Sequence, residues 1–181
     1  MRREILEDVR SIEPLDDLEA GHQRDAIEWI ESGAELCRQV KPATPPKHLV
    51  SYFVLTDDDH FLLVDHRNAG LWLPTGGHVE SDERPSETAR REAKEELGIE
   101  PQLFSEKPLF ITSTKTVGRT ERHTDISLWY VVVHPRTEEL HFDQTEFKSI
   151  RWFHRDELPL DRCDPHMGRF VQKLGSLANR R

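Results

Sequence analysis

Three glutamates in the middle of the chain stand at spacings that place them on one face of a helix. Glu92, Glu95 and Glu96 are three and four residues apart, and residues at these spacings are neighbours on a helical surface. Repulsion costs only roughly 0.2–0.5 kcal/mol per like-charged pair on a solvated helix, so an ordinary exposed acidic face is one interpretation. Carboxylate oxygens are also the ligands that Mg²⁺ prefers, so a metal site is the other.

The residues around these glutamates favour the metal site. A Gly-Gly turn and a loop precede them, and a glycine follows at the position where a left-handed residue ends a helix. The pattern resembles the Nudix box without departure at Gly77, Glu83, Arg91, Glu92, Ala93, Glu95, Glu96, Gly98 and Ile99. The probability that seven fixed and two apolar positions match this pattern by chance is on the order of 10⁻⁹ per start position. The chain is therefore similar to the Nudix (MutT-like) hydrolases, most strongly in its middle and more weakly over about residues 48–160.

The resemblance implies a hydrolase that uses divalent cations to cleave a phosphoanhydride bond by attack of water at phosphorus. It implies that Glu92, Glu95 and Glu96, with the backbone carbonyl of Gly76, bind Mg²⁺, with Mn²⁺ as a second suitable ion. The metal would neutralise the diphosphate and lower the pKa of a bound water. Catalysis is therefore expected to depend on these residues.

The other box residues are expected to support the metal ligands. Arg91 would hold Glu83 or a neighbouring carboxylate by a charge-assisted hydrogen bond. Gly77 would allow the loop to approach the metal closely. The general base is left open between a box glutamate and Glu146, which lies where some relatives carry such a residue and is otherwise an exposed loop carboxylate.

The substrate contacts are less well defined by the sequence. A polar stretch between two predicted strands, residues 112–124, is suited to phosphate binding or is an ordinary loop. The candidate substrate-binding residues are Lys115, Arg119, Arg122 and Trp72. Trp129 and Phe53 could stack on a base but are more typical of a core. Relatives that act on ADP-ribose carry a proline after the box, and those that act on dinucleoside polyphosphates carry a tyrosine there; residues 114–117 contain neither. This leaves a nucleoside triphosphate, a nucleotide sugar or a related diphosphate as the substrate, with triphosphates favoured slightly.

The remaining sequence predicts elements that place the box. Residues 1 to about 40 show apolar spacing typical of a helix, including Ala34 and Cys37, with a break or bend predicted at Ser32-Gly33. The proline-rich segment 41–46 is predicted to link this extension to a domain over 47–181. Strands are predicted on both sides of a helix over Pro85–Leu97, and a last helix over Pro165–Ala178. This order indicates an α/β fold with a mixed sheet. The resemblance implies an α/β/α sandwich, and the N-terminal helical segment lies outside the part of the chain that the resemblance covers.

Charge and composition restrict the partners. The net charge is −9 over 181 residues, which disfavours a nucleic acid polymer because such binding uses clustered positive charge. Residues 1–46 hold 6 basic and 11 acidic residues, so the extension is not expected to bind nucleic acid either; homodimerisation is one hypothesis for it. With no apolar stretch of spanning length and two isolated cysteines, the sequence predicts a cytoplasmic protein without a membrane partner.

Two other functions of the same fold remain open. A diphosphate isomerase would use the metal with paired acid and base groups, but relatives of that type depend on an active-site cysteine, and neither Cys37 nor Cys163 is near the box in the sequence. A non-catalytic ligand sensor usually shows a degraded box, whereas all three carboxylates are present here.

Overall fold

A seven-stranded sheet between two helical layers organises the chain. The computed structural model describes residues 1–41, 44–116 and 123–178. The helices are α1 (Arg2–Arg10), α2 (Asp17–Glu31), α3 (Pro85–Leu97) and α4 (Met167–Ala178), with a 3₁₀ turn at Arg155–Glu157. The strands are β1 (Lys47–Asp57), β2 (His60–His66), β3 (Trp72–Leu73), β4 (Thr75–His78), β5 (Phe110–Lys115), β6 (Thr124–Val133) and β7 (Phe147–His154).

The sheet is mixed. Its main path runs β3-β2-β1-β6-β5, with β4 added to β1 and β7 added to β2. β1 and β6 pair in parallel over Lys47–Thr56, while β1 pairs antiparallel with both β2 and β4. The mixed sheet predicted from the order of the elements is confirmed.

The central strand β6 shows how the sheet is covered on both faces. Ile126 and Leu128 pack into the apolar cluster that contains residues of α1, α2 and α3. Trp129 and Val131, which point to the opposite face, pack into a second cluster with residues of α4. Successive strand residues alternate between faces, so a strand buried on both sides carries a continuous apolar run. The predicted α/β/α sandwich with N-terminal helices is confirmed.

Helix α3, which carries the box glutamates, has the predicted bounds. Pro85 occupies its first turn, and the backbone N–H of Arg84 donates to Glu87 Oε2 at 2.6 Å. Gly98 ends the helix with a φ of 68°. Both ends are thus determined locally, by a residue with a preset φ and by one that adopts the left-handed conformation without strain.

The helical prediction for the N-terminal segment is wrong beyond residue 31. α2 ends at Glu31, and Gly33 follows with a φ of 81°. Ala34 and Cys37 therefore lie outside the helix, although Cys37 is buried. Leu36 and Cys37 are buried in an irregular segment, and the Leu36 carbonyl accepts from the Leu49 N–H at 2.8 Å.

The N-terminal helices pack on the same apolar cluster as α3. Ile5, Val9 and Ile30 belong to this cluster together with Ala89 and Leu128. The division of the chain after residue 46 stays a prediction. No helix in the described part of the chain has the length and apolarity required to cross a bilayer.

His166, where α4 approaches α2, has a titration that depends on folding. Its ring meets the ring of His22 edge-on at 5.4 Å between centroids, and its Nδ1 lies 3.0 Å from Arg169 Nη1. Burial, followed by the charges of His22 and Arg169, lowers the pKa of His166 from 6.5 to about 4, against the opposing effect of Asp16. The folded protein therefore keeps His166 neutral at pH values where the unfolded chain protonates it.

Acidification is expected to destabilise the protein through His166. Above pH 6.5 the imidazole of His166 is neutral in both the folded and the unfolded chain, so its titration costs the folded state nothing. As the pH falls from 6.5 toward about 4, the unfolded chain binds the proton and the folded protein does not, so the free energy of unfolding decreases. With allowance for solvent screening we expect a loss of about 1 kcal/mol between about pH 7 and pH 5. Urea unfolding at both pH values measures this. His166→Gln should reduce the loss and the exposed His141→Gln should not; equal losses in all three proteins would contradict the assignment.

Candidate active site

The three box glutamates lie on one face of α3 at graded depths. Glu96 is 6% exposed, and the side chains of Glu92 and Glu95 are 14% and 60% exposed. The face points toward β4, whose Gly76 N–H donates to Glu96 Oε2 at 3.0 Å. The carboxylates thus extend from the core to the solvent beside β4. The predicted Gly-Gly turn is wrong, because Gly76 and Gly77 lie within β4 and pair with β1.

Two glycines allow this close approach of strand and helix. Gly76 has a φ of 147°, and a Cβ there would collide with the Ser51 carbonyl and lie 2.8 Å from Tyr52 Cα. A Cβ on Gly77 would collide with the carboxylate of Glu92. A side chain at 76 would therefore disturb the backbone of β1, whereas one at 77 would displace a single carboxylate.

Arg91 holds the carboxylates from one side. It donates to Glu83 in a two-pronged contact, from Nη2 to Oε1 at 2.7 Å and from Nε to Oε2 at 3.2 Å. Its Nη1 donates to Glu92 Oε1 at 2.7 Å and lies 3.4 Å from Glu95 Oε2. Burial by itself would raise the pKa of Glu83, but hydrogen bonds from Arg91, Thr88 and the Glu80 N–H lower it overall. The planar guanidinium of Arg91 therefore orients the carboxylates of Glu83 and Glu92, because it donates several hydrogen bonds in fixed directions.

The electrostatics of this face differ from those of a solvated helix. Burial, followed by the charge of Glu92, raises the pKa of Glu96 well above its ordinary value, against the Gly76 hydrogen bond. Burial also raises the pKa of Glu92, against the hydrogen bond from Arg91. A divalent cation among these oxygens would offset the repulsion and desolvation. The donors fit a hard, oxygen-binding cation such as Mg²⁺.

Glu146, the alternative general base, lies near this face. It is exposed in the loop before β7, and its charge contributes to the raised pKa of both Glu92 and Glu96. Its carbonyl accepts from the Arg67 N–H at 2.9 Å. An exposed acidic side chain thus lies close enough to Glu92 and Glu96 for its charge to raise their pKa, and its role stays a prediction.

The candidate substrate residues are less closely assembled. Lys115 is exposed at the end of β5, and Arg119 and Arg122 lie outside the described residues. Trp72 is half-buried and packs edge-on against Phe153, with 5.0 Å between ring centroids. Trp129 and Phe53 are fully buried core residues, so a stacking role for these two is wrong.

Sequence reasoning missed several residues beside the box. His48, His123 and Asp125 converge on His78, and Arg38 Nη1 lies 3.2 Å from His78 Nε2. The only local signal was the alternation of His123 and Asp125 at the start of a strand.

Cys37 also lies beside the box, contrary to the prediction from the sequence. Its Sγ is 3.5 Å from the Glu80 carbonyl. Burial, followed by the charges of Glu35 and Glu83, raises the pKa of Cys37 to about 11. The thiol is therefore held protonated and unreactive.

Comparison with known proteins identifies the class that this fold and site define. The family model for the NUDIX domain matches residues 46–174. The chain is 32% identical over 111 residues to the rat bis(5'-nucleosyl)-tetraphosphatase (asymmetrical), covering 61% of this chain and 74% of that protein. It is 38% identical over 99 residues to the Nudix hydrolase YfcD of Salmonella typhi, whose function is uncharacterized, covering 47% and 54%. A NUDIX-family hydrolase structure from Clostridium perfringens matches with a TM-score of 0.56 and 25% identity, over 72% of this chain and 97% of that one.

The chain belongs to the Nudix family. It is a hydrolase that acts on acid anhydrides of the nucleoside diphosphate type.

Proposed function

We propose that this protein is a Mg²⁺-dependent pyrophosphohydrolase that cleaves a phosphoanhydride bond in a nucleoside polyphosphate by attack of water at phosphorus. The observation that carries the proposal is the position of Glu92 and Glu96 against Gly77 and Gly76 of β4, with Glu96 almost completely buried. Glu95 lies on the same face of α3. Burying a carboxylate near two other carboxylates costs free energy, and an acidic helix face with only a structural role offers nothing to offset that cost.

Glu92, Glu95, Glu96 and the Gly76 carbonyl would hold the cation, with Mn²⁺ able to replace Mg²⁺. The cation would supply charge neutralisation at the phosphates and a more acidic water. Arg91 positions Glu92 and Glu83 through the contacts described above. Glu146, exposed and close to the buried pair, is suited to accept a proton from the attacking water.

Two substrate classes follow from different observations. The segment after the box lacks the proline of relatives that act on ADP-ribose and the tyrosine of relatives that act on dinucleoside polyphosphates. This favours nucleoside triphosphates and nucleotide sugars as substrates. Dinucleoside tetraphosphates are favoured instead by the similarity to the rat tetraphosphatase, which spans 74% of that protein. Both classes present a phosphoanhydride chain to the same acidic face.

The experiment is a substrate panel with Mg²⁺, containing nucleoside triphosphates, nucleotide sugars, dinucleoside tetraphosphates and CDP-alcohols, with products identified by mass in ¹⁸O-labelled water. The label shows which phosphorus is attacked. Hydrolysis that requires metal, with one ¹⁸O in one product, supports the proposal. Tight metal-dependent binding without hydrolysis across the panel would support a sensor, and a product of unchanged mass would support an isomerase.

Gly77→Ala is expected to lower kcat/KM about 10–100-fold while the free energy of unfolding changes by less than about 1 kcal/mol. The added Cβ meets the mobile end of Glu92 and no backbone atom among the nearest contacts, so it should misplace a carboxylate without unfolding the sheet. Steady-state kinetics and urea unfolding measure the two effects.

Gly21→Ala is the matched control for Gly77→Ala. Gly21 lies within α2, where a Cβ would meet only Arg24 Nη2 at 3.9 Å, and alanine favours a helix interior. Unchanged kinetics are expected there. A Gly77→Ala enzyme with wild-type kcat/KM would show that the position of Glu92 is not critical.

A further inference from the structure

Four residues, three of them in β1, β4 and β6 and the fourth directly before β6, come together beside Gly77 and are not explained by the hydrolase site. The His/Asp cluster consists of His48, His78, His123 and Asp125. His48 and Asp125 are register partners across the parallel β1–β6 pair. His78 at the end of β4 is opposite Val50 of β1, and His123 precedes Asp125 by two residues and so shares its face. Sheet pairing therefore brings together residues that are up to 77 positions apart in the chain.

The spacing of the ligand atoms fits a small cation. One nitrogen or oxygen atom from each of the four side chains lies within 4.8 Å of the others. Asp125 Oδ1 is 3.3 Å from His48 Nε2 and 3.3 Å from His123 Nε2. Bonds of about 2.0–2.1 Å in a tetrahedral zinc site separate neighbouring ligands by about 3.3–3.4 Å. Two edges of the cluster thus already have the length that zinc requires.

His48 is the second and independent observation. Its side chain is completely buried, and its Nδ1 is 2.8 Å from the Pro45 carbonyl. A carbonyl can only accept, so Nδ1 carries the proton and Nε2 presents a lone pair in the neutral ring. This is the arrangement that orients metal-binding histidines, with one ring nitrogen donating to a carbonyl.

Two atoms that face each other in the cluster, one on His48 and one on Asp125, make no hydrogen bond within the described part of the chain. These atoms, His48 Nε2 and Asp125 Oδ1, are both buried. A lone pair aimed at a carboxylate oxygen is unfavourable unless a cation lies between them. His48 Nε2 and Asp125 Oδ1 are therefore arranged to bind a cation together.

His78 and Arg38 complete the surroundings. The ring of His78 lies 4.8 Å from the ring of His48 and 6.1 Å from the ring of His123, measured between centroids. Arg38 Nη1 contacts His78 Nε2 at 3.2 Å, so an ion binds through the other nitrogen or displaces Arg38. The single carboxylate of Asp125 supplies the negative charge of the ligand set.

We infer that the His/Asp cluster is a structural zinc site, separate from the glutamate site that acts on the substrate. Nitrogen-rich ligands select Zn²⁺ over Mg²⁺, whereas the box offers oxygen alone. With four protein ligands no coordination position is left for substrate water, which is typical of a structural site. The ion would tie β1, β4 and β6 together and hold His78 next to Gly77 of the box.

The test uses the full chain, expressed without a polyhistidine tag, and measures bound metals by mass spectrometry. We expect about one zinc ion per chain, retained in excess Mg²⁺. His48→Asn and Asp125→Asn should weaken zinc binding by at least about 100-fold. The doubly substituted Glu92→Gln, Glu96→Gln protein and the exposed His141→Asn control should keep their zinc.

A second measurement covers the case in which a cluster variant fails to fold. The chelator-stripped wild-type protein is loaded with Co²⁺ in excess Mg²⁺, and its X-ray absorption spectrum is recorded. A tetrahedral shell dominated by imidazole nitrogen supports the site. An all-oxygen shell, absence of stoichiometric zinc from the wild-type protein, or loss of zinc in the box variant would each overturn the inference, while a failed substrate panel would leave it unaffected.

Discussion

Glu96→Gln is expected to lower kcat/KM by about 10²–10³-fold at saturating Mg²⁺, because several kcal/mol of metal-derived stabilisation are lost with one buried carboxylate. The amide oxygen of glutamine can still accept from the Gly76 N–H, whose present distance to Glu96 Oε2 is 3.0 Å. The substitution therefore changes charge and keeps shape. Since burial and Glu92 raise the pKa of Glu96, the folded protein should be equally or more stable with glutamine.

The measurement pairs steady-state kinetics with the Mg²⁺ concentration needed for half-maximal activity, which should rise. Glu100→Gln is the matched control. Glu100 follows α3, is 77% exposed and pairs with Lys94, so its loss should leave both quantities within about twofold, as expected for a surface ion pair. Activity above about half of wild type in Glu96→Gln would remove the main support for the metal site.

Glu19→Gln is expected to lower the free energy of unfolding by about 3–5 kcal/mol, because it leaves a buried lysine without its counter-charge. Glu19 is completely buried in α2, and Lys173 of α4 is 6% exposed. Lys173 Nζ donates to Glu19 Oε1 at 2.6 Å, and the same carboxylate accepts from the backbone N–H groups of Leu15 at 2.6 Å and Ile111 at 3.3 Å. The pair thus joins the helical layers on the two sides of the sheet.

Urea unfolding of Glu19→Gln, Lys173→Met and the double variant Glu19→Gln, Lys173→Met measures this coupling. The double variant should be more stable than the sum of the single losses predicts, since neither charge is then left alone. Strict additivity, or a loss below about 1 kcal/mol in Glu19→Gln, would show that water reaches the pair.

Helix α3 and its ends could be predicted from the sequence because the signals are local. Pro85 presets the first turn and Gly98 adopts the left-handed stop, so neither needs distant contacts. The convergence of Glu92, Glu95 and Glu96 on one face follows from helical geometry alone. The hairpin of β1 and β2 also has a local signal, because Asp57–Asp59 are turn-forming residues between two apolar runs.

The irregular segment after α2 could not be predicted in the same way. Ala34 and Cys37 have helical spacing, but apolar spacing reports burial and does not distinguish a helix from a loop lying against the core. The position of Cys37 beside Glu80 also depends on how this loop lies across the sheet.

By itself, therefore, the sequence determined the helix that carries the glutamates and the Nudix family with its hydrolytic chemistry, because both depend on contiguous residues. The order of strands and helices along the chain also predicted a mixed sheet, although not which strands are neighbours in it. Only the tertiary structure decided that Glu96 is buried against Gly76, that Glu19 meets Lys173, and that His48, His78, His123 and Asp125 converge. These contacts join residues far apart in the chain. Strand pairing and helix packing bring them together, and no local pattern encodes which strands become neighbours.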